Sequence, residues 1–217
     1  MLRDERGVAH IVSLSGGKDS TCMALTLRER EPRPYIYVCT PTGAELPEME
    51  AHWGLLERLL DAPLLRITNG TLATVIEQNN MLPNCHARFC TRILKLRPFG
   101  RFIETVQPVV SYVGLRADEE EREGTRPGGD SAALGTQVTQ DFPFQRWGWG
   151  LKEVLAELGR FGVTVPERTD CDRCPYQRLG EWYYLWLNHP ERYPSAEADE
   201  ERHGHTYRSD QRDSWPA

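Results

Sequence analysis

The chain has 217 residues and carries 26 Lys+Arg against 32 Asp+Glu, a formal net charge of −6; at roughly 150 residues per domain that is one large domain or one domain with an appendage, long enough to bury a core without disulfides or metal. Hydrophobic residues make up 39% and charged residues 27%, which excludes fibrous and disordered classes, and the net charge argues against bulk attraction to nucleic acid while leaving room for a local phosphate-binding patch. No apolar run approaches the roughly 18 residues of a membrane span, and the opening Met1-Leu2-Arg3-Asp4-Glu5-Arg6 is too polar for a secretory h-region, so a soluble, cytoplasmic protein with no membrane partner is expected.

Residues 10–14 (HIVSL) are short, apolar and β-branched and predict a buried strand. A glycine turn follows, then a helix over residues 18–30. Residues 35–39 (YIYVC) predict a second strand. Residues 48–60 have helical spacing, with Trp53, Leu56, Leu59 and Leu60 on the apolar face. Residues 64–67 predict a third strand and 109–113 (VVSYV) a fourth. Strands that alternate with helical segments predict a parallel α/β sheet. The small, breaker-rich stretch 124–137 predicts a mobile loop. Residues 151–161 and 179–187 predict helices. Beyond Tyr193 the chain is polar, with acids at Glu197, Asp199, Glu200 and Glu201, and is expected to be helical in part and frayed at its end. There is no internal repeat and no sign of a second large hydrophobic core. The expected organisation is therefore a single domain over 1–194 with a polar tail over 195–217.

Ser15-Gly16-Gly17-Lys18-Asp19-Ser20 lies between the first strand and the first helix. A helix N-terminus offers unpaired N–H groups and the positive end of a dipole, which suits an anion. Gly16 and Gly17 let the backbone approach phosphate oxygens without a Cβ in the way. Ser15 and Ser20 can donate hydroxyl hydrogen bonds, and Lys18 supplies a point charge. An acid among phosphate ligands makes sense if Asp19 holds Mg²⁺ or orients the loop. The spacing is not that of a G-x-x-x-x-G-K-[ST] P-loop. An ordinary glycine turn between strand and helix is the bland alternative.

Residues 88–99 contain Arg88, Arg92, Lys95 and Arg97 with no acid, and Arg101 follows. In a chain of net charge −6, such a reversal reads as a polyanion site, since arginine forks suit phosphate or sulfate oxygens; a basic surface helix is the alternative. Gly114-Leu115-Arg116-Ala117-Asp118-Glu119 follows a predicted strand, at the sheet end where α/β folds place ligands. Arg116 or Arg122 could reach a nucleotide there.

Of the six cysteines, Cys22 and Cys39 lie in predicted core elements and read as small buried hydrophobes. Cys85-x₄-Cys90 and Cys171-x₂-Cys174 form two pairs, and the x₂ spacing followed by Pro175 is a common ligand arrangement for an iron–sulfur cluster or zinc, with unligated or redox thiols as the alternative. Aromatic residues gather at Trp147, Trp149, Trp182, Tyr183, Tyr184 and Trp186, for packing over the cysteine region or for stacking on a base.

The S-G-G-K-D-S loop resembles that of the adenine nucleotide α-hydrolases, or N-type ATP pyrophosphatases. Together with T-G-x-E-x-P-E over 42–48, C-T-x-x-L-K-x-x-P over 90–98, G-L-R-x-D-E over 114–119 and the late C-x-x-C-P, it resembles the phosphoadenosine phosphosulfate reductase family of that superfamily, over roughly residues 10–180. The resemblance implies a five-stranded parallel sheet of the HUP type, related to Rossmann folds, with a helical, cysteine-bearing C-terminal part. It implies ATP and Mg²⁺ at the loop, with Lys18 and Asp19 catalytic, and Thr42, Gly43 and Glu45 bordering the nucleotide. Arg92, Lys95, Gly114 and Arg116 are the further binding candidates. The four late cysteines are similar in layout to the [4Fe–4S] ligands of some sulfonucleotide reductases, whose first pair is adjacent rather than spaced as here. The family's C-terminal E-C-G-L-H motif has no counterpart after Cys174, where the tail offers only His203 and His205. The expected activity is therefore adenylation of an acceptor by Mg–ATP with release of pyrophosphate, for sulfur transfer or nucleic-acid modification, with a nucleic-acid acceptor or a sulfur-donor protein as partner. A sulfonucleotide reductase and a non-catalytic nucleotide-binding subunit are the alternatives.

Overall fold

A computed structural model describes residues 2–119 and 138–208; Arg122 and the loop expected over 124–137 lie outside the described residues. The strands are β1 (Ala9–Ser13), β2 (Tyr35–Cys39), β3 (Leu64–Arg66), β4 (Val109–Tyr112) and β5 (Val138–Asp141). The helices are α1 (Lys18–Arg30), α2 (Pro47–Leu60), α3 (Leu72–Asn79), α4 (Phe89–Thr91), α5 (Arg97–Val106), α6 (Pro143–Trp147), α7 (Leu151–Arg160), α8 (Leu179–Asn188) and α9 (Tyr193–His203). A π-helical stretch, Arg92–Leu96, lies between α4 and α5. Among the described residues no helix is long and apolar enough to cross a membrane.

The described chain divides into two compact units. The first comprises Met1–Thr40, Pro47–Ile67 and Pro98–Thr169. Its five strands pair in the order β3-β2-β1-β4-β5, every pairing parallel, which is the α/β class expected. Strand alternation explains how both faces are covered. Ala9 and Ile11 of β1 and Val38 of β2 point to one side, where they pack with Ile103 and Val106 of α5. Val12, Leu14, Tyr37 and Cys39 point to the other and join α1, α2 and α7. Helix α1 is buried at every residue from Thr21 to Leu27, so it sits as an inner helix. β5 escapes a reading of the sequence because its VTQD run is polar and only half-buried.

The second unit comprises Pro41–Leu46, Thr68–Arg97 and Asp170–Ala217. It has its own apolar cluster, with Leu72, Val75, Ile76, Leu82, Phe89 and Leu94 joined by Ala196 and Tyr207. This cluster differs from the expectation of one core. It is assembled from separated segments, none apolar enough alone to announce it. Of the described residues expected to form a polar tail, most are exposed, while Ala196 and Tyr207 are buried, and Tyr207 donates through its hydroxyl to Asp199 at 2.7 Å.

Candidate functional site

The strand order sets the place of the site. From β1 the chain continues to β2 on one side, whereas β4 continues to β5 on the other, so the segments leaving β1 and β4 diverge at a switch point. The 15–20 loop leaves β1 there, and the G-L-R segment leaves β4. The two touch, because a Cβ on Gly114 would lie 3.4 Å from the backbone of Asp19.

The loop is held by its own hydroxyls. Ser20 Oγ accepts from Gly16 N at 3.2 Å and donates to the Gly17 carbonyl at 3.1 Å; it also lies 3.0 Å from Ser15 Oγ. Gly17 is the N-cap of α1 and brings no side-chain cap. The first intrahelical bond is Thr21 N to the Gly17 carbonyl. The amides of Lys18, Asp19 and Ser20 are therefore first-turn donors at the positive end of a 13-residue helix. The two glycines are not equivalent. Gly16 has φ +91°, and a Cβ there would lie 2.7 Å from both Met49 Cε and Trp53 Nε1. Gly17 has φ −70°, and its Cβ would meet Ser15 Oγ and Thr169 Oγ1 at an ordinary 3.6 Å. Trp53 also donates through Nε1 to the Ser15 carbonyl at 2.9 Å, so the α2 residue expected merely on an apolar face braces the loop.

Asp19 faces Arg116. Both carboxylate oxygens accept from the same guanidinium nitrogen at 3.0 Å. Arg116 donates through Nε to Asp118 at 2.9 Å and lies 3.2 Å from Glu119. Its side chain is only 12% exposed, so it serves as the shared cation of three acids. Asp118 in turn accepts from Leu151 N at 2.9 Å, at the start of α7. That amide, with Arg116 second, holds the Asp118 carboxyl below its ordinary value. Lys18 is half-exposed, with Nζ 3.6 Å from Asp19.

His52 of α2 lies behind the loop, buried, with Nε2 3.3 Å from Thr21 Oγ1. Burial holds this imidazole below its ordinary value, and the Gly16 backbone opposes the shift. As the pH falls through about 6.5, the unfolded chain takes up a proton that the folded chain does not. Stability then declines on acidification, and the decline levels off once the folded imidazole protonates. His52→Gln is expected to flatten the fall in melting temperature between about pH 7 and pH 5; calorimetry showing the same slope as the parent protein would rule this out.

The other expected site residues lie in the second unit. The turn at Thr42 to Glu45 closes on itself: the Glu45 carboxylate accepts from Thr42 N at 2.6 Å, Thr42 Oγ1 at 2.8 Å and Gly43 N at 2.9 Å. Gly43 has φ +73° and passes Thr71 so closely that a Cβ would sit 3.0 Å from it. Glu45 pairs with Cys171 in an antiparallel bridge, Asp172 N donates to the Ala44 carbonyl at 2.7 Å, and Thr42 Oγ1 lies 3.2 Å from Cys171 Sγ. Thr42 and Glu45 are thus engaged with the C-x-x-C segment. Arg92 and Lys95 are exposed on the π-helical stretch, and Arg88 lies over the Tyr176 ring at 4.9 Å.

Cys22 and Cys39 are buried in the core, as expected. The other four cysteines are partly buried, and none of the six forms a disulfide. Cys90 and Cys171 pack against the same apolar cluster. Tyr176, whose hydroxyl donates to the Cys85 carbonyl, is within electrostatic reach of Cys85, Cys174 and Cys90. Burial holds the Cys171 thiol up, opposed by the Lys95 ammonium, and pushes Cys174 up to about 12. Four thiols in one unit are a donor set suited to a thiophilic centre. Among the described residues, however, no three Cys, His, Asp or Glu side chains converge on one metal position. Of the aromatic residues, Trp182 packs against Tyr207, whereas Tyr183 and Trp186 are exposed and stack on each other at 5.7 Å.

Sequence reasoning missed the bracing of the loop by Trp53 and the buried His52. Only the spacing of Trp53 on an apolar face gave a signal, and it pointed to packing.

A family model described as the phosphoadenosine phosphosulfate reductase domain matches residues 9–150. Uncharacterized protein MJ0066 of Methanocaldococcus jannaschii is 24% identical over an alignment of 178 positions that covers 79% of this chain and 37% of that protein. The chain thus spans little more than a third of that relative's length. A crystal structure of phosphoadenylyl-sulfate reductase from Candida auris, in a phosphate complex, matches with a TM-score of 0.55 at 12% identity, over 73% of this chain and 75% of that one. At such identity the likeness speaks for the fold, and it agrees with the five-stranded parallel sheet. With more than half of the chain matched, from β1 to the start of α7, the protein belongs to the phosphoadenosine phosphosulfate reductase domain family, consistent with the adenine nucleotide α-hydrolase superfamily.

Proposed function

We propose that the chain binds Mg–ATP at the 15–20 loop and transfers its adenylyl group to an acceptor, releasing pyrophosphate, in the service of sulfur transfer or nucleic-acid modification. One observation carries this reading: a glycine loop held by its own hydroxyls at a helix N-terminus, with Lys18 half-exposed beside it and Asp19 bound by Arg116. The acceptor's nucleophilic atom forms a bond to the α-phosphorus while the bond from that phosphorus to the bridging oxygen breaks. Lys18 and the first-turn amides take up the charge that develops on the departing pyrophosphate. Magnesium delivered with the nucleotide supplies further charge neutralisation. Lys18 and Asp19 are the proposed catalytic pair. Arg116 acts through Asp19 and is a positioning residue.

The cysteines enter this reading as a donor set for an iron–sulfur cluster or zinc, supported by their gathering in one unit, and no chemical step is derived through them. A second reading, sulfonucleotide reduction with release of sulfite, is favoured by the family and by the reductase name of the Candida auris protein. Anaerobic purification with iron, sulfide and zinc analysis, followed by product assays, separates the two. Slow release of AMP and pyrophosphate from Mg–ATP, with water as acceptor, is expected. Sulfite from phosphoadenosine phosphosulfate, with thioredoxin or glutathione as reductant and no ATP cleavage, would establish the second reading. ATP binding without any turnover would defeat both.

A further inference from the structure

Helix α8 is anchored in the second unit by one face and leaves another bare. Leu185 is fully buried, and Trp182 packs against Tyr193 and Tyr207. On the side away from Leu185, the residues Leu179, Tyr183, Trp186 and Leu187 are 70%, 61%, 53% and 57% exposed. Their spacing of i, i+4, i+7 and i+8 makes one continuous stripe. Tyr183 and Trp186 stack with ring centres 5.7 Å apart, so two large side chains are ordered before any partner arrives. The stripe carries no charge. Of the ten residues Leu179–Asn188 only Glu181 is charged, and its carboxylate accepts from Arg178 N at 2.6 Å at the start of the helix. Nucleic acids and anionic membranes are held by lysine and arginine, and the helix has neither. The stripe is also symmetric in position about its middle. Leu179 and Leu187 each lie four residues from Tyr183, and Gly180 and Trp186 each lie three. Gly180 leaves room, since a Cβ there would meet nothing within 4 Å.

We propose that a second copy of this chain covers the stripe, with the two α8 helices antiparallel across a two-fold axis at Tyr183. That axis brings each Tyr183 against its counterpart. It also sets the Leu179–Gly180 end of one helix level with the Trp186–Leu187 end of the other. The end that holds the glycine then admits the bulky one. A chain of net charge −6 repels its own copy wherever acids face acids, and along this stripe no charge faces another. At these exposures the four side chains offer roughly 500 Å² per copy, so two copies cover about 1,000 Å² before any rim is counted, the lower bound for a specific interface.

Sedimentation equilibrium on the full chain tests the proposal. A dimer with a dissociation constant of about 1–50 µM is expected. It should change little between about 0.1 and 1 M NaCl, because apolar burial rather than ion pairing holds it. Tyr183→Lys and Tyr183→Glu alter an exposed position, and each sets two like charges face to face on the axis. Each is expected to weaken association by about 100-fold or more, whereas an equimolar mixture of the two should recover about tenfold, since opposite charges then meet there. Gly180→Leu fills the open space and raises helix propensity, so it should weaken association by about tenfold without lowering the melting temperature. A parent protein that stays monomeric to about 100 µM would overturn the proposal. Binding of that monomer to phosphatidylcholine–phosphatidylglycerol vesicles would give the stripe to a membrane instead. Undiminished dimers in Tyr183→Lys and Gly180→Leu, or a mixture no better than its components, would overturn it as well.

Discussion

Replacing Gly16 with alanine is expected to destabilise the protein by about 2–5 kcal/mol, whereas the same change at Gly17 is expected to cost under about 1 kcal/mol. At Gly16 two penalties coincide. Its φ of +91° is left-handed backbone that an L side chain rarely adopts, and its Cβ would lie 2.7 Å from Met49 Cε and Trp53 Nε1. Met49 Cε ends a flexible chain and can swing aside. The indole cannot move freely, because its N–H donates to the Ser15 carbonyl at 2.9 Å. Relief at Trp53 would release the loop, and a rigid Trp53 would strain β1 and α2. In a chain of this size the penalty corresponds to a fall in melting temperature of roughly 5–15 °C. Calorimetry on the two variants checks it, and a Gly16→Ala protein as stable as Gly17→Ala would show that the packing around the loop is misassigned. Gly17→Ala has its own use. Because it folds, any loss of nucleotide affinity measures how closely a ligand approaches the backbone at the N-cap.

That contrast shows what a sequence can and cannot disclose. The paired glycines, the serines and the lysine suggest an anion loop from sequence, because each residue type has a local reason to be in one. The tertiary reason for Gly16 is invisible, since Met49 and Trp53 come from a helix two elements away. The strands β1 to β4 and helices α1 and α2 are legible because each is a continuous apolar or periodic run. β5 is polar and takes its identity from pairing with β4. The second unit is harder still. Its cluster draws on Leu72, Phe89 and Tyr207, residues that no periodicity links, so it exists only once the segments meet. The four late cysteines read in sequence as two pairs, whereas the closeness of Cys171 to Thr42 is a contact across 129 positions that spacing does not encode.

The pairing of Asp19 with Arg116, 97 positions apart in sequence, leads to the second large effect. Asp19→Asn is expected to reduce cleavage of ATP to AMP and pyrophosphate by about 10²-fold or more, if the loop is the site of that reaction. Arg116→Ala is expected to come close to the same loss, because its guanidinium fixes both oxygens of Asp19 at 3.0 Å. If Arg116 acts through Asp19, the double variant is scarcely worse than the poorer single one, and the cycle returns a coupling of about 1–3 kcal/mol. Stability should separate the partners. Removing Asp19 leaves Arg116 with Asp118 and Glu119, a mild change. Removing Arg116 leaves three acids without their shared cation, at positions where the arginine is 12% and Asp19 22% exposed. Arg116→Ala is therefore expected to cost about 1–3 kcal/mol of stability, more than Asp19→Asn. Arg116→Lys keeps the charge but loses the fork, so it should recover stability better than turnover. A rise in the Mg²⁺ requirement confined to Asp19→Asn would instead assign Asp19 to the metal. Additive losses in the cycle would mean that Arg116 meets the nucleotide directly rather than through Asp19.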